Sequence, residues 1–433
     1  MDMVFQWNWL RGQFDDPIET KTFAALKLDL NGEVVTRLYD RIAEGERDTV
    51  NVPLYPLALA IAENWWTLLY EPRKSDEGNS LVEIRHSLDS YMNGFVFPAL
   101  TLWSGGDDAI TVEHPPIRPQ HSNLEFLPAT ASVTNLPRDE VENNLFELVQ
   151  VVTKRVPDGP ASAQLRDAWT RVLESHQNED ERQYCEAAGR LGFDPYDPDA
   201  EDISGFAAGI SEHLFSDICD AATPAELQTA TDWAREGTRR LENFPAIDIS
   251  QFGAMPERDP REKIWVHGYE AARKVRRNLH LEDSNPRRVV DSMFGAAVRA
   301  GGAAIGGVHP FALEAIANRR SGAMRVAIPS TSARLRRSRL CRASYLAWKT
   351  VDGDSSAVTT ATTLDQQASR AFAAELLAPA ELLRGLAANE GLTPEKIESF
   401  AKQNVCPEQT ILWQAHNHGI PLRGVALPRT HML

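Results

Sequence analysis

Residues 334–383 read RLRRSRLCRASYLAWKTVDGDSSAVTTATTLDQQASRAFAAELLAPAELL, two helical patterns joined by small and polar residues. In the second, Ala368, Phe372, Leu376 and Leu383 recur on one helical face, with Ala371 and Leu377 beside them. Pro379 near its end stops or redirects the helix. In the first, residues 339–349, Leu340, Ala343 and Ala347 adjoin Tyr345 and Trp348.

Elsewhere the patterning predicts mixed elements. Residues 23–37 alternate on both sides of Asn31-Gly32, a strong hairpin signal. Residues 53–70, PLYPLALAIAENWWTLLY, read as a nearly apolar helix; Trp65 and Trp66 are adjacent, do not share a face, and read as core. A second hairpin is predicted around residues 104–108, a strand within 124–133, and a helix over 137–156 with acids in its first turn and bases at its end. After the boundary signal PDGP at 157–160 the chain turns helical and acidic: 164–175, 180–191, 203–219 and 224–241. A Pro/Gly-bearing linker, 246–260, leads to helices over 263–279 and 286–294 and a strand at 324–328. Residues 301–307, GGAAIGG, lack the Lys-Ser/Thr of a phosphate loop and read as a loop. The fold class is therefore α+β and multidomain, with a mixed α/β domain over 1–156, a helical segment over 161–245 and a C-terminal domain over 260–433 that ends in short helices.

At 433 residues two or three domains are expected. No apolar run is long enough to span a bilayer, and the N-terminus has no basic start followed by an apolar core, so neither a membrane nor a signal peptide is indicated. The four Cys form no C-x-x-C pair, which suggests neither a disulfide framework nor a Cys-zinc site; a cytoplasmic location is the expectation. The net charge of −16 is uneven: residues 1–250 hold 20 Lys+Arg against 44 Asp+Glu, and residues 251–433 hold 25 against 17. The basic half leaves a nucleic-acid partner open beside charge complementarity within the molecule.

Gln367-Ala-Ser-Arg-Ala-Phe-Ala-Ala-Glu-Leu-Leu-Ala-Pro379 resembles the helix after the active site in the ImmA/IrrE family of zinc metallopeptidases, close to E-x-E-A-N-x-F-A-A-E-L-L-M-P. Residues 339–348, RLCRASYLAW, align without a gap with that family's R-F-T-L-A-H-E-L-G-H. Residues 272–281 are similar to its opening helix, and 188–196 to a stretch that accompanies it in longer proteins. The resemblance implies a zincin-like C-terminal domain. It also places Ser344 and Trp348 at the two zinc-binding His positions, Tyr345 at the general-base position and Asp365 at the third ligand position. In H-E-x-x-H the His pair binds zinc from one helical face and the Glu activates water. Indole offers a metal no lone pair, and Tyr is too weak a base at neutral pH. The scaffold is thus expected without the metal chemistry, with no catalytic residue, no cofactor, and Ser344, Tyr345, Trp348 and Asp365 converging on a vacated cleft. The function implied is that of a catalytically inactive, regulatory module that binds a protein, such as a repressor, in phage defence or stress regulation. A zinc peptidase with unusual ligands and a nucleic-acid-binding regulator are the alternatives.

Other constellations read as bland. His267 with Glu270, His309 with Glu314, and His416 with His418 each lack a third ligand nearby in sequence. Arg334, Arg336, Arg337, Arg339 and Arg342 form the densest charge run, read as a solvated or salt-bridged helix start against phosphate contact as the alternative. Residues 393–415 have helix-turn-helix spacing, but only Gln409 and Gln414 offer base-reading side chains, so packing is the expected role.

Overall fold

The computed structural model describes residues 3–74, 84–115, 122–127, 132–198, 202–259, 262–282, 284–299, 309–388 and 390–427. The chain divides into two compact units, 1–202 and 203–433. The division falls inside the helical segment read from sequence. Helices of that segment up to residue 191 share the apolar core of the first unit through Leu165, Trp169 and Cys185. Those after residue 203 belong to the second.

In the first unit, β1 (Met3–Trp9), α1 (Pro17–Thr22), β2 (Phe23–Leu30), β3 (Glu33–Val34), β4 (Leu38–Asp40), β5 (Gly45–Arg47) and β6 (Val50–Pro53) come first. Strand β2 alternates strictly between buried and half-buried positions and pairs antiparallel with β1, β3 and β6. The β2–β3 turn is made by Asn31 and Gly32, both at positive φ (56° and 87°), the two-residue turn whose twist suits a hairpin. The apolar stretch after it is two helices, α2 (Tyr55–Glu63) and α3 (Trp65–Tyr70), interrupted at Asn64, whose side-chain amide donates to Ala60 O at 2.9 Å. Trp65 and Trp66 are both buried. Strands β7 (Thr101–Ser104) and β8 (Ala109–Glu113) form the second predicted hairpin, β9 (Leu124–Phe126) joins β4, and β10 (Val133–Pro137) joins β8. Helices α4 (Arg138–Arg155), α5 (Pro160–Gln177) and α6 (Glu179–Leu191) complete the unit. Buried Arg138 ties it together. Its guanidinium donates to Asp107 O at 2.9 Å and Ser104 Oγ at 3.0 Å and lies 4.2 Å over the Tyr70 ring.

The second unit opens with α7 (Glu212–Ala221) and α8 (Leu227–Arg240), then β11 (Ile247–Asp248), α9 (Ile264–Asn278), α10 (Pro286–Arg299), β12 (Leu313–Arg320), β13 (Ala323–Ala327), α11 (Ala333–Lys349), β14 (Ser355–Thr359) and α12 (Leu364–Leu377). Three short helices follow: α13 (Ala380–Ala387), α14 (Pro394–Asn404) and α15 (Glu408–Asn417). The strands form one antiparallel sheet in the order β11-β13-β12-β14. The glycine-rich stretch 301–307 lies outside the described residues. Helix α11 starts at an N-cap, Ser332, whose hydroxyl accepts from Leu335 N at 3.3 Å. From Leu340 to Trp348 all its residues are buried, as expected of a helix enclosed on every side.

Helix α12 is held from both flanks. A Cβ on Gly268 in α9 would stand 2.4 Å from Ala368 O and 2.8 Å from Ala371 Cβ, so only glycine admits α9 this close to α12. Glu375, buried on α12, accepts from Arg273 Nε of α9 at 2.9 Å, Gln414 Nε2 of α15 at 2.6 Å and Ala380 N of α13 at 3.3 Å. One carboxylate thus joins four helices, and the Phe-Ala-Ala-Glu-Leu-Leu run is the structural centre of the unit.

Gly268→Ala is expected to destabilise the protein by about 1–3 kcal/mol, because the added methyl must push two backbones apart. Phe372→Ala, which empties a fully buried ring site on α12, should cost about 3–5 kcal/mol. Denaturant unfolding of both variants checks the pair; a cost within error of zero for either contradicts the packing described.

Candidate functional site

The four positions implied by the resemblance lie on α11 and the first turn of α12. Ser344, one turn before Trp348, is fully buried, and its hydroxyl donates to Cys341 O of its own helix at 2.8 Å. That bond commits the Ser344 proton within the helix. Trp348 turns toward the chain ahead of α9. Its indole Nε1 donates to Gly253 O at 2.8 Å, and its ring meets the edge of Phe252 at 5.5 Å. Phe252 is itself anchored, because Asn278 Nδ2 of α9 donates to its carbonyl at 2.7 Å. An indole locked as a donor and capped by a phenyl ring leaves that position with packing as its role.

Tyr345 and Asp365 behave differently. Tyr345 is buried, with its ring 5.5 Å from Phe372 and 6.2 Å from His267. Among the described residues its phenol makes no hydrogen bond. Burial raises the phenol's pKa far above its ordinary value; the charge of Asp365 adds to this and Arg258 opposes it. So Tyr345 stays protonated at neutral pH and is no base. Asp365 accepts from Lys349 Nζ at 2.6 Å, with 34% of its side chain exposed. A carboxylate at the edge of a vacated cleft needs a cation, a hydrogen-bond donor or solvent. Lys349 takes that place because it follows Trp348 on the rim of α11, half exposed, where its amine reaches the first turn of α12.

From sequence, His267 with Glu270 reads as bland; the structure gives it a distinct place. It is 7% exposed on α9, beside Tyr345, and its Nδ1 has no hydrogen-bond partner among the described residues. Burial lowers its pKa below the usual imidazole value, the charges of Arg258 and Lys349 lower it further, and Asp365 and Glu270 act against them. The signal that could have found it is the helical register of α9. His267 adjoins Gly268, which marks the side of α9 facing α12.

These residues do not fit a zinc ion. Ser344 and Trp348 spend their polar hydrogens on backbone carbonyls, Asp365 is paired with an amine, and Tyr345 keeps its proton. Among the described residues no group of three or more His, Cys, Asp or Glu side chains is arranged to hold a metal. His416 lies near Trp413, and His418 meets Tyr269 at 4.7 Å with the two rings tilted by 39°.

The arginine run at the start of α11 is used inside the unit. Arg334 meets Glu408 at 3.3 Å, Arg336 donates to Val298 O and Thr331 O, and buried Arg337 holds Asp291 at 2.6 Å. Arg339 and Arg342 face Glu314. Gln414, one of the two amides available to a helix-turn-helix reading, is buried on Glu375. No helix among the described residues is long and apolar enough to cross a membrane. No family model matches the chain, and no curated protein or solved structure is detectably similar to it.

The His267 environment has a pH consequence. A folded-state pKa below the unfolded value of 6.5 means that the unfolded chain binds the proton first, so this site lowers stability as pH falls through and below 6.5. His267→Gln removes the titration. Its unfolding free energy relative to the parent should therefore rise as pH is lowered from 8 toward 5, roughly the window in which His titrates. A difference independent of pH would contradict the assignment.

Proposed function

We propose that residues 260–433 form a metallopeptidase-like domain of the ImmA/IrrE kind that has given up zinc chemistry and serves as a protein-binding, regulatory module in phage defence or stress control. The reading is carried by one observation. The helix aligned with H-E-x-x-H lies buried at the centre of the unit, beside the helix aligned with the family's acidic ligand, while its aligned side chains are committed to packing and backbone bonds. Three further features support it: the order of two helices, hairpin, buried helix, strand and helix from α9 to α12; the Glu375 junction inside the motif that carries the resemblance; and Phe252 against Trp348. A domain that keeps such a framework while its metal positions are filled has a surface to offer and no hydrolysis to perform. A helix-turn-helix repressor, bound without being cut, is the kind of partner this predicts.

Purified without chelator, the chain should carry well under one zinc by elemental analysis, and it should leave a helix-turn-helix repressor uncleaved while eluting with it at fixed stoichiometry. One tightly held zinc would favour a working peptidase with unusual ligands. The combined variant Ser344→His, Tyr345→Glu, Trp348→His should gain zinc, since the replaced groups sit on one helix beside Asp365. A folded triple variant that takes up no zinc would remove the metallopeptidase scaffold from consideration.

A further inference from the structure

Away from the aligned cleft, three guanidinium groups of the second unit lie near one another: Arg339 and Arg342 face one carboxylate, and Arg370 shares the Thr359 carbonyl with Arg342. Glu314 on β12 is the acceptor. Arg342 donates to it, and also to Thr359 O at 2.7 Å, Gln366 Oε1 at 2.8 Å and Ser369 Oγ at 3.2 Å, so its donors are well used. Arg339 is different. Its side chain is 13% exposed; among the described residues its one ion pair is the 3.9 Å approach to Glu314, beyond hydrogen-bonding distance, and its buried Nε has no partner. Arg370 of α12 donates to Ala361 O at 2.6 Å and Thr359 O at 3.3 Å but meets no carboxylate at ion-pair distance among the described residues. Burial, then repulsion from Arg342, pushes it down to about 9, with Glu314 the one charge acting the other way.

Three positive charges against one carboxylate leave an excess of two in a largely dehydrated place. Isolated buried charge is costly unless an opposite charge and hydrogen bonds accompany it. No other acidic group of the described residues acts appreciably on Arg339, Arg342 or Arg370. Residues 300–308, which lead into His309, contain no Asp or Glu in their sequence. Glu314 keeps 25% and Arg339 13% of its side chain exposed, and His309 beside them is exposed, so this edge of the cluster faces solvent. A guanidinium fork matches the oxygens of a phosphate group, whose charge of about −1.5 to −2 at neutral pH approaches the excess here.

We propose that Arg339, Arg342 and Arg370 form a binding site for a phosphate group, free or on a small molecule, with Glu314 as the internal anion that weakens it. The recessed position of Arg339 and Arg342 favours a terminal phosphate over a polynucleotide backbone, which needs protruding cations to follow it. The site does not depend on the metallopeptidase-like reading, and either proposal can fail without the other.

The test is thermal unfolding of the full chain with increasing inorganic phosphate, and separately AMP, at ionic strength held constant with sodium chloride. The expected result is a saturable rise in Tm with phosphate, lost in Arg339→Gln and Arg370→Gln and kept in the control Arg334→Gln. A response to phosphate alone identifies the free anion, and tighter binding of AMP identifies a phosphate ester. Glu314→Gln should tighten phosphate binding about tenfold by removing the competing charge. If the arginine variants fail to fold, that tightening decides the matter. A response no larger than that of chloride, unchanged binding in both folded arginine variants, or Glu314→Gln binding no better than the parent would each overturn the proposal.

Discussion

The close approach of α9 and α12 at Gly268 sets the geometry of the second unit. Where two helix backbones touch with no Cβ between them, neither can rotate or slide without a clash, so the register of every residue on the facing sides is decided at once. From that register follow the burial of Phe372, the position of His267 beside Tyr345, and the placing of Arg273 where it reaches Glu375. Glu375 then extends the constraint to α13 and α15 by accepting from Ala380 N and Gln414. A packing contact and a buried carboxylate divide the work, since the first excludes alternatives and the second fixes orientation.

The same framework accounts for two very different polar neighbourhoods. Around Tyr345, Asp365 and Lys349 the charges pair at the rim, where the ion pair contributes little to stability, and the interior is left to aromatic packing. Around Glu314 the balance is reversed, with cations in excess and little water to screen them. Helix α11 supplies residues to both. Its one-turn spacing sends Ser344 and Trp348 to one side, and Arg339 and Arg342 to another. A buried helix with polar side chains on two faces is tolerated because nearly every one of them finds a backbone carbonyl or an acid. On α11 the exceptions are Tyr345, whose phenol is buried without a hydrogen bond among the described residues, and Arg339, which reaches Glu314 only at 3.9 Å.

What the sequence by itself determined was local. The Asn31-Gly32 hairpin, the strands around residues 104–108, the helix over 138–155 and the burial of Phe372, Leu376 and Leu377 follow from turn chemistry and periodicity, which act between near neighbours. The identity of side chains at residues 344, 345 and 348 likewise decides that an H-E-x-x-H metal pair is absent. The tertiary structure decided the rest. The middle helices are shared between two units, because burial depends on which core lies nearest, and spacing along the chain does not reveal that. It turned Trp348 onto Gly253 and gave Asp365 to Lys349. It also brought Arg339 and Arg342 of α11 to Glu314 of β12, and Arg370 of α12 to the Thr359 carbonyl that Arg342 shares. Periodicity tells which face of a helix is apolar. Which charge meets which depends on contacts between residues far apart in the chain, and those exist only once α9, α11, α12 and the sheet have closed on one another.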